Sequence, residues 1–80
     1  MNNDEIIKKV NGIFVEVFNK PDIVINEKTT AKDVKEWDSL AHIQLVISLE
    51  KKFAIKFTAK EIRMWKSVGD IINSIKIRIP

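Results

Sequence analysis

Apolar residues recur at three- and four-residue steps in three separate stretches of this chain, and that spacing commits it to helices. Ile6, Ile7, Val10, Ile13, Phe14 and Val17 form one stripe, Leu45, Val46, Leu49 and Phe53 a second, and Val68, Ile71, Ile72 and Ile75 a third. A period of about 3.6 residues puts such positions on one side of a helix, whereas a half-buried strand alternates. The first helix is predicted over residues 3–19, with Asn3 as its cap, Asp4 and Glu5 in the first turn, and Asn19-Lys20-Pro21-Asp22 as the stop. Gly12 costs it about 1 kcal/mol against alanine without interrupting the stripe. The second helix begins at Ser39 with Asp38 as N-cap. Thr58 with Glu61, and Ser67 with Asp70, have capping-box spacing. They open a short third helix ending near Trp65 and a last helix carrying the third stripe.

A long connection, residues 20–37, separates the first two helices. Ile23 and Ile25 anchor it, and Thr30 with Asp33 predicts a single helical turn over residues 31–34. The tail Lys76-Ile77-Arg78-Ile79-Pro80 alternates, but a lone strand has no partner among helices, so a frayed end is expected. The expected fold is all-α: one domain over residues 1–80, a small four-helix bundle with a long first loop and a short third helix.

Composition removes several functions. There is no cysteine, which excludes disulfides, thiolate metal sites and a cysteine nucleophile, and one histidine argues against a His-rich metal site. The polar, acidic opening Met1-Asn2-Asn3-Asp4-Glu5 is unlike a signal peptide, and no apolar run approaches the roughly 18 residues of a spanning helix. A cytoplasmic monomer without stable membrane insertion is expected. Charge is uneven: the balance is −2 up to Asp38 and +5 from Ser39 onward. Lys51, Lys52, Lys56 and Lys60 could form a nucleic-acid stripe, but no recognition-helix or RNA-binding signature accompanies them. A solvated lysine-rich surface, with no nucleic acid as partner, is the expectation.

Candidate chemistry concentrates at Asp38-Ser39. A serine at the first helical position stands beside free backbone N–H groups, at an end carrying about half a positive charge. A phosphate esterified to it would sit where anions are favoured. Ser39 and His42 share a helix face, and Asp38 lies close by. A hydrolytic triad also needs an orienting acid and oxyanion donors, whereas Asp38 serves the backbone and there is no G-x-S-x-G turn. His42 is therefore expected as a partly exposed surface histidine. Trp65 is expected to pack in the core, as is Trp37, although the position of Trp37 beside Ser39 leaves a contact role open.

Asp38-Ser39-Leu40, followed by Ile43, Leu45, Val46, Leu49, Glu50 and Phe53 and then by Ser67-Val68-Gly69-Asp70-Ile71-Ile72, resembles the acyl carrier protein family. D-S-L alone is weak; D-S-L with both flanking patterns at matching spacing, in 80 residues, is specific. The resemblance spans the domain, with residues 20–36 matching only in length and apolar anchors. It implies that Ser39 is modified by 4′-phosphopantetheine, taken from coenzyme A by a magnesium-dependent phosphopantetheinyl transferase. Acyl groups would ride as thioesters on the arm, so the protein would not be an enzyme; partners that load and transfer acyl groups would do the chemistry. Asp38 would cap the helix beside the arm, and Trp37, Leu40, Ile43 and Glu50 would meet partners. A divide lined by Ile47, Ile62 and Ile72 could admit an acyl chain. The departure is charge: Ala41, His42 and Gln44 stand where acids are common in fatty-acid-synthesis carriers, and Lys51 and Lys52 follow Glu50. A specialised lipid, polyketide or peptide-like pathway is therefore expected rather than bulk fatty-acid synthesis. The Met1 start and short tail suggest a free-standing carrier. The alternative is a helical protein-interaction module that keeps the fold without the arm.

Overall fold

Each helix of the computed structural model, which describes residues 2–79, begins at a polar side chain that takes up an otherwise free backbone N–H. In order they are α1 (Asn3–Phe18), α2 (Ser39–Phe53), α3 (Ala59–Met64) and α4 (Val68–Lys76). The all-α, four-helix expectation is met, with a long first loop and a short third helix. At α1 the cap is Asn2, not Asn3. The Asn2 side chain accepts from the N–H of Glu5 at 2.9 Å, and the Glu5 carboxylate accepts from that of Asn2. Asn3 as cap would have faced Ile6, which cannot reciprocate. Thr58–Glu61 and Ser67–Asp70 close as capping boxes where the spacing placed them.

The stripes meet in one core. Val10, Phe14, Leu45, Leu49, Val68, Ile71 and Ile75 are fully buried, and α1 against α2 is the main helix pair. Val46, expected in the second stripe, is half-buried, and Ala41 takes an inward place instead. A small residue there lets the start of α2 approach its neighbours closely.

The long loop is ordered by polar ties as much as by apolar anchors. Asn11 of α1 donates to the carbonyl of Ile23 (3.2 Å) and accepts from the N–H of Ile25 (2.8 Å). Ile25, Val34 and Trp37 are buried, whereas Val24 is exposed. Thr30 and Asp33 form a single turn that does not propagate. The loop also serves α4: the N–H groups of Val68 and Gly69, which have no partner within the helix, donate to Thr29 and Glu27 carbonyls at 2.8 Å. Gly69 is needed for this approach, because a Cβ there would lie 2.9 Å from the Glu27 carbonyl oxygen.

The tail departs from the frayed end expected of it. Arg78 donates to the carbonyls of Lys56 (2.6 Å) and Ser74 (2.9 Å), pairs with both carboxylate oxygens of Glu61, and lies over the Phe57 ring. Five donors in a rigid fork allow one side chain to tie three elements. Arg78, then the Thr58 N–H, holds the Glu61 carboxyl down from 4.5 to about 2. The folded value lies below the unfolded one, so this contribution is fully present above about pH 5 and disappears as pH falls toward about 2. Arg78→Ala should therefore flatten the acid limb of a melting-temperature profile in that window. A limb as steep as in the parent chain would show that Glu61 is not what acid titrates.

Candidate functional site

Asp38 has extended backbone and stops the loop where α2 begins, its carboxylate accepting from the N–H of Ala41 at 2.9 Å. The Asp38 carbonyl accepts from the N–H of His42. Ser39 and Leu40 hold the first two helical positions, and among the described residues their N–H groups have no protein partner. The Ser39 side chain is exposed and likewise makes no hydrogen bond among the described residues. An exposed hydroxyl thus stands beside two unpaired amides at a helix N-terminus, which suits an anionic ester. Asp38→Ala should cost about 1 kcal/mol and speed amide exchange at Ala41, while Asp38→Asn should preserve both. Unchanged Ala41 exchange in the alanine variant would show that the cap does not hold this turn.

His42, expected as a partly exposed surface histidine, is partly exposed but not free. It is half-buried, with both ring nitrogens engaged. Trp37 Nε1–H donates to His42 Nδ1 at 2.9 Å, so in the neutral ring the proton sits on Nε2, which lies 2.9 Å from the Ile62 carbonyl and donates to it. Ile62 is in the last turn of α3, where carbonyls lack helical partners. Neither nitrogen is available to Ser39, and this removes the triad by geometry. The rings of Phe14, Trp37, His42, Trp65 and Phe57 form a continuous chain with centroids 4.8–6.0 Å apart. Trp65 is buried as expected, its Nε1–H donating to Ser74 Oγ at 3.0 Å.

Of the four residues expected to meet partners, two also hold the structure together. Trp37 is only 8% exposed and faces Phe14 and His42, so it supports the site and shows only an edge to the outside. Glu50 is half-buried and accepts from the N–H of Phe57 at 2.9 Å, which ties α2 to the link before α3. Leu40 and Ile43 do stand out, 66% and 56% exposed, and Ile47 continues the same stripe. Lys51, also exposed, comes one turn after Ile47, so the apolar stripe runs into a basic end. At the divide expected to admit an acyl chain, the structure shows a packed seam. Ile72 is buried, Ile62 half-buried and Ile47 half-exposed, and the two shallow hollows that Ile47 lines do not reach Ile62 or Ile72. The hollow that touches Ser39 is instead an open groove of about 820 Å³, walled by Trp37, His42, Ile43 and Trp65, with Lys32 and Lys66 among its polar lining.

Sequence reasoning missed the His42 bridge, Arg78 and the Trp65–Ser74 pair. One signal was available: Ser74 is a polar residue beside Ile75 in an inward-facing stretch, where a buried indole N–H needs an acceptor.

No family model matches the chain. It is 30% identical over 80 residues to an acyl carrier protein of Thermosynechococcus vestitus, covering 99% of this chain and 98% of the relative. Against an acyl carrier protein of Borreliella burgdorferi it is 35% identical over 78 residues, covering 98% of each. Its backbone is similar to the solution structure of a holo acyl carrier protein from Geobacter metallireducens, with a TM-score of 0.84 and 36% identity, over 90% of this chain and 83% of that one. A putative acyl carrier protein from Mycobacterium tuberculosis shares the fold at the same TM-score and 24% identity, over 92% of this chain and 99% of that one.

Proposed function

Since the chain belongs to the acyl carrier protein family, whose members are carriers rather than enzymes, we propose that it carries acyl groups on a 4′-phosphopantetheine arm attached to Ser39. The observation that carries this reading is the exposed Ser39 hydroxyl at the N-terminus of α2, beside the free amides of Ser39 and Leu40. In the attachment, Ser39 Oγ bonds to the phosphorus of the pantetheine phosphate in coenzyme A. The bond from that phosphorus to adenosine bisphosphate breaks, and the hydroxyl proton passes to a base on the transferase. The arm supplies a terminal thiol, which a chain without cysteine lacks. Asp38 keeps Ser39 at the helix start, and Leu40 and Ile43 offer partner enzymes an apolar surface next to it.

Loading tests this. Given acetyl-coenzyme A, magnesium and a promiscuous transferase, the chain should acquire an acetyl group that neutral hydroxylamine releases, as a thioester requires. An acetyl group that never appears, or resists hydroxylamine, favours the interaction module without an arm.

The basic end of α2 supports a carrier for a specialised lipid, polyketide or peptide-like pathway. Exposed Lys51 and Lys52, with Lys8 and Lys9 of α1, line the cleft between the first two helices, where Glu5 and Glu16 offset them only in part. Such a surface repels the basic patches expected of fatty-acid-synthesis enzymes. Reversing Lys51 and Lys52 together to glutamate should raise acyl transfer by those enzymes roughly tenfold at low salt, with the gain fading as salt is added. No gain at low salt places selectivity elsewhere on the chain.

A further inference from the structure

A single side chain bridges the seam between α2 and α3, one helical turn from Ser39. That side chain is His42, held at one ring nitrogen by the Trp37 indole and at the other by the Ile62 carbonyl, with Trp65 edge-on against its face at 5.8 Å. Behind it, Leu45, Leu49, Ile71 and Ile72 are at most 1% exposed. A chain passing this point would separate two hydrogen bonds and leave an indole N–H and a helix-end carbonyl without partners in a half-dry setting. On the outer side, the same residues wall the groove of about 820 Å³ whose rim is Ser39. That volume lies within the range of small-molecule sites.

Building on the carrier reading, we propose that the cargo on Ser39 lies in this surface groove, against Trp37, Ile43 and Trp65, and that the His42 bar excludes it from the helical core. The substrate class follows: short or compact acyl groups are seated in the groove, whereas the far end of a long alkyl chain gains no burial and stays in water. His42 is a positioning residue here, acting through Trp37 and the Ile62 carbonyl.

The two indole N–H resonances and the isoleucine methyl resonances read this directly. Acetyl, butyryl, octanoyl and dodecanoyl forms would be made with the matching coenzyme A thioesters, and each loading confirmed by mass. The expected result is that the Trp37 and Trp65 indole signals and the Ile43 methyls shift on loading. Their shifts should grow from acetyl to butyryl and then level off, while the Ile72 and Leu45 methyls stay in place for every chain. Octanoyl loading of His42→Ala should move Ile72 and Leu45. Trp37→Phe, which removes the donor but keeps a ring, gives the same readout should the first variant fail to fold. His42→Gln, able to accept and donate, should behave as the parent. Loaded parent chain in which Ile72 and Leu45 shift with the longer acyl groups overturns the groove, and so do indole signals that no cargo moves. Ile72 and Leu45 unmoved by octanoyl loading in the folded alanine or phenylalanine variant overturns the bar. A chain that gains no mass overturns the carrier reading itself, a separate result.

Discussion

Phe14→Ala should bring the domain close to unfolding. The Phe14 ring is fully buried, lies 5.5 Å from Phe18, and meets Trp37 edge-on at 5.4 Å. Truncating a core phenylalanine costs about 3–5 kcal/mol. An 80-residue chain has a total of roughly 4–12 kcal/mol, so one substitution removes a large part of it. The effect should also reach the site. Trp37 leans on Phe14 and holds His42, so losing the ring at 14 should let the Trp37 indole move and expose its N–H. Phe14→Leu keeps most of the volume and should cost clearly less. Thermal melts by circular dichroism give the stability, and exchange of the Trp37 indole proton reports the coupling. A melt within a few degrees of the parent would mean that the loop and α2 are held without α1.

Ser39→Ala should do the opposite: change nothing in the fold and remove the function. The Ser39 side chain has no hydrogen bond to any described residue and is exposed, and alanine is a good residue at a first helical position. A surface change of this kind lies within about 0.5 kcal/mol. The cap from Asp38 to Ala41 and the aromatic chain behind it stay intact, because neither uses the hydroxyl. Acyl loading should nevertheless fall to background. The combination separates a residue that carries cargo from one that holds structure. A variant that melts far below the parent would show that Ser39 has a structural task absent from its contacts.

The helices and their caps were legible because their signals are local. A period near 3.6, a polar residue at a helix start and a partner three residues on can be read without knowing what packs where. Asp38 and Ser39 were legible for the same reason. What was not legible falls where a side chain has two possible destinations and only tertiary packing chooses. His42 could have faced solvent; the nearby Trp37 indole and the end of α3 drew it inward. The resemblance implied a partner contact for Glu50, and only the fold shows that the link at residues 54–57 brings the Phe57 N–H to it. Arg78 sits in a stretch with no helical period, and its three attachments come from elements 4 to 22 residues away. The acyl divide raises a related question. Spacing identifies which residues are apolar, but whether they leave space between them depends on how the rings of Trp37, His42 and Trp65 close the seam.

The proposal that Ser39 bears the arm is tested most directly by mass. The purified chain would be incubated with coenzyme A, magnesium and each of several phosphopantetheinyl transferases, then weighed intact and after proteolysis. The predicted result is a gain of one phosphopantetheine, located on the peptide containing Ser39 and absent from Ser39→Ala. A mass unchanged by every transferase, or a gain located on any other residue, would contradict it.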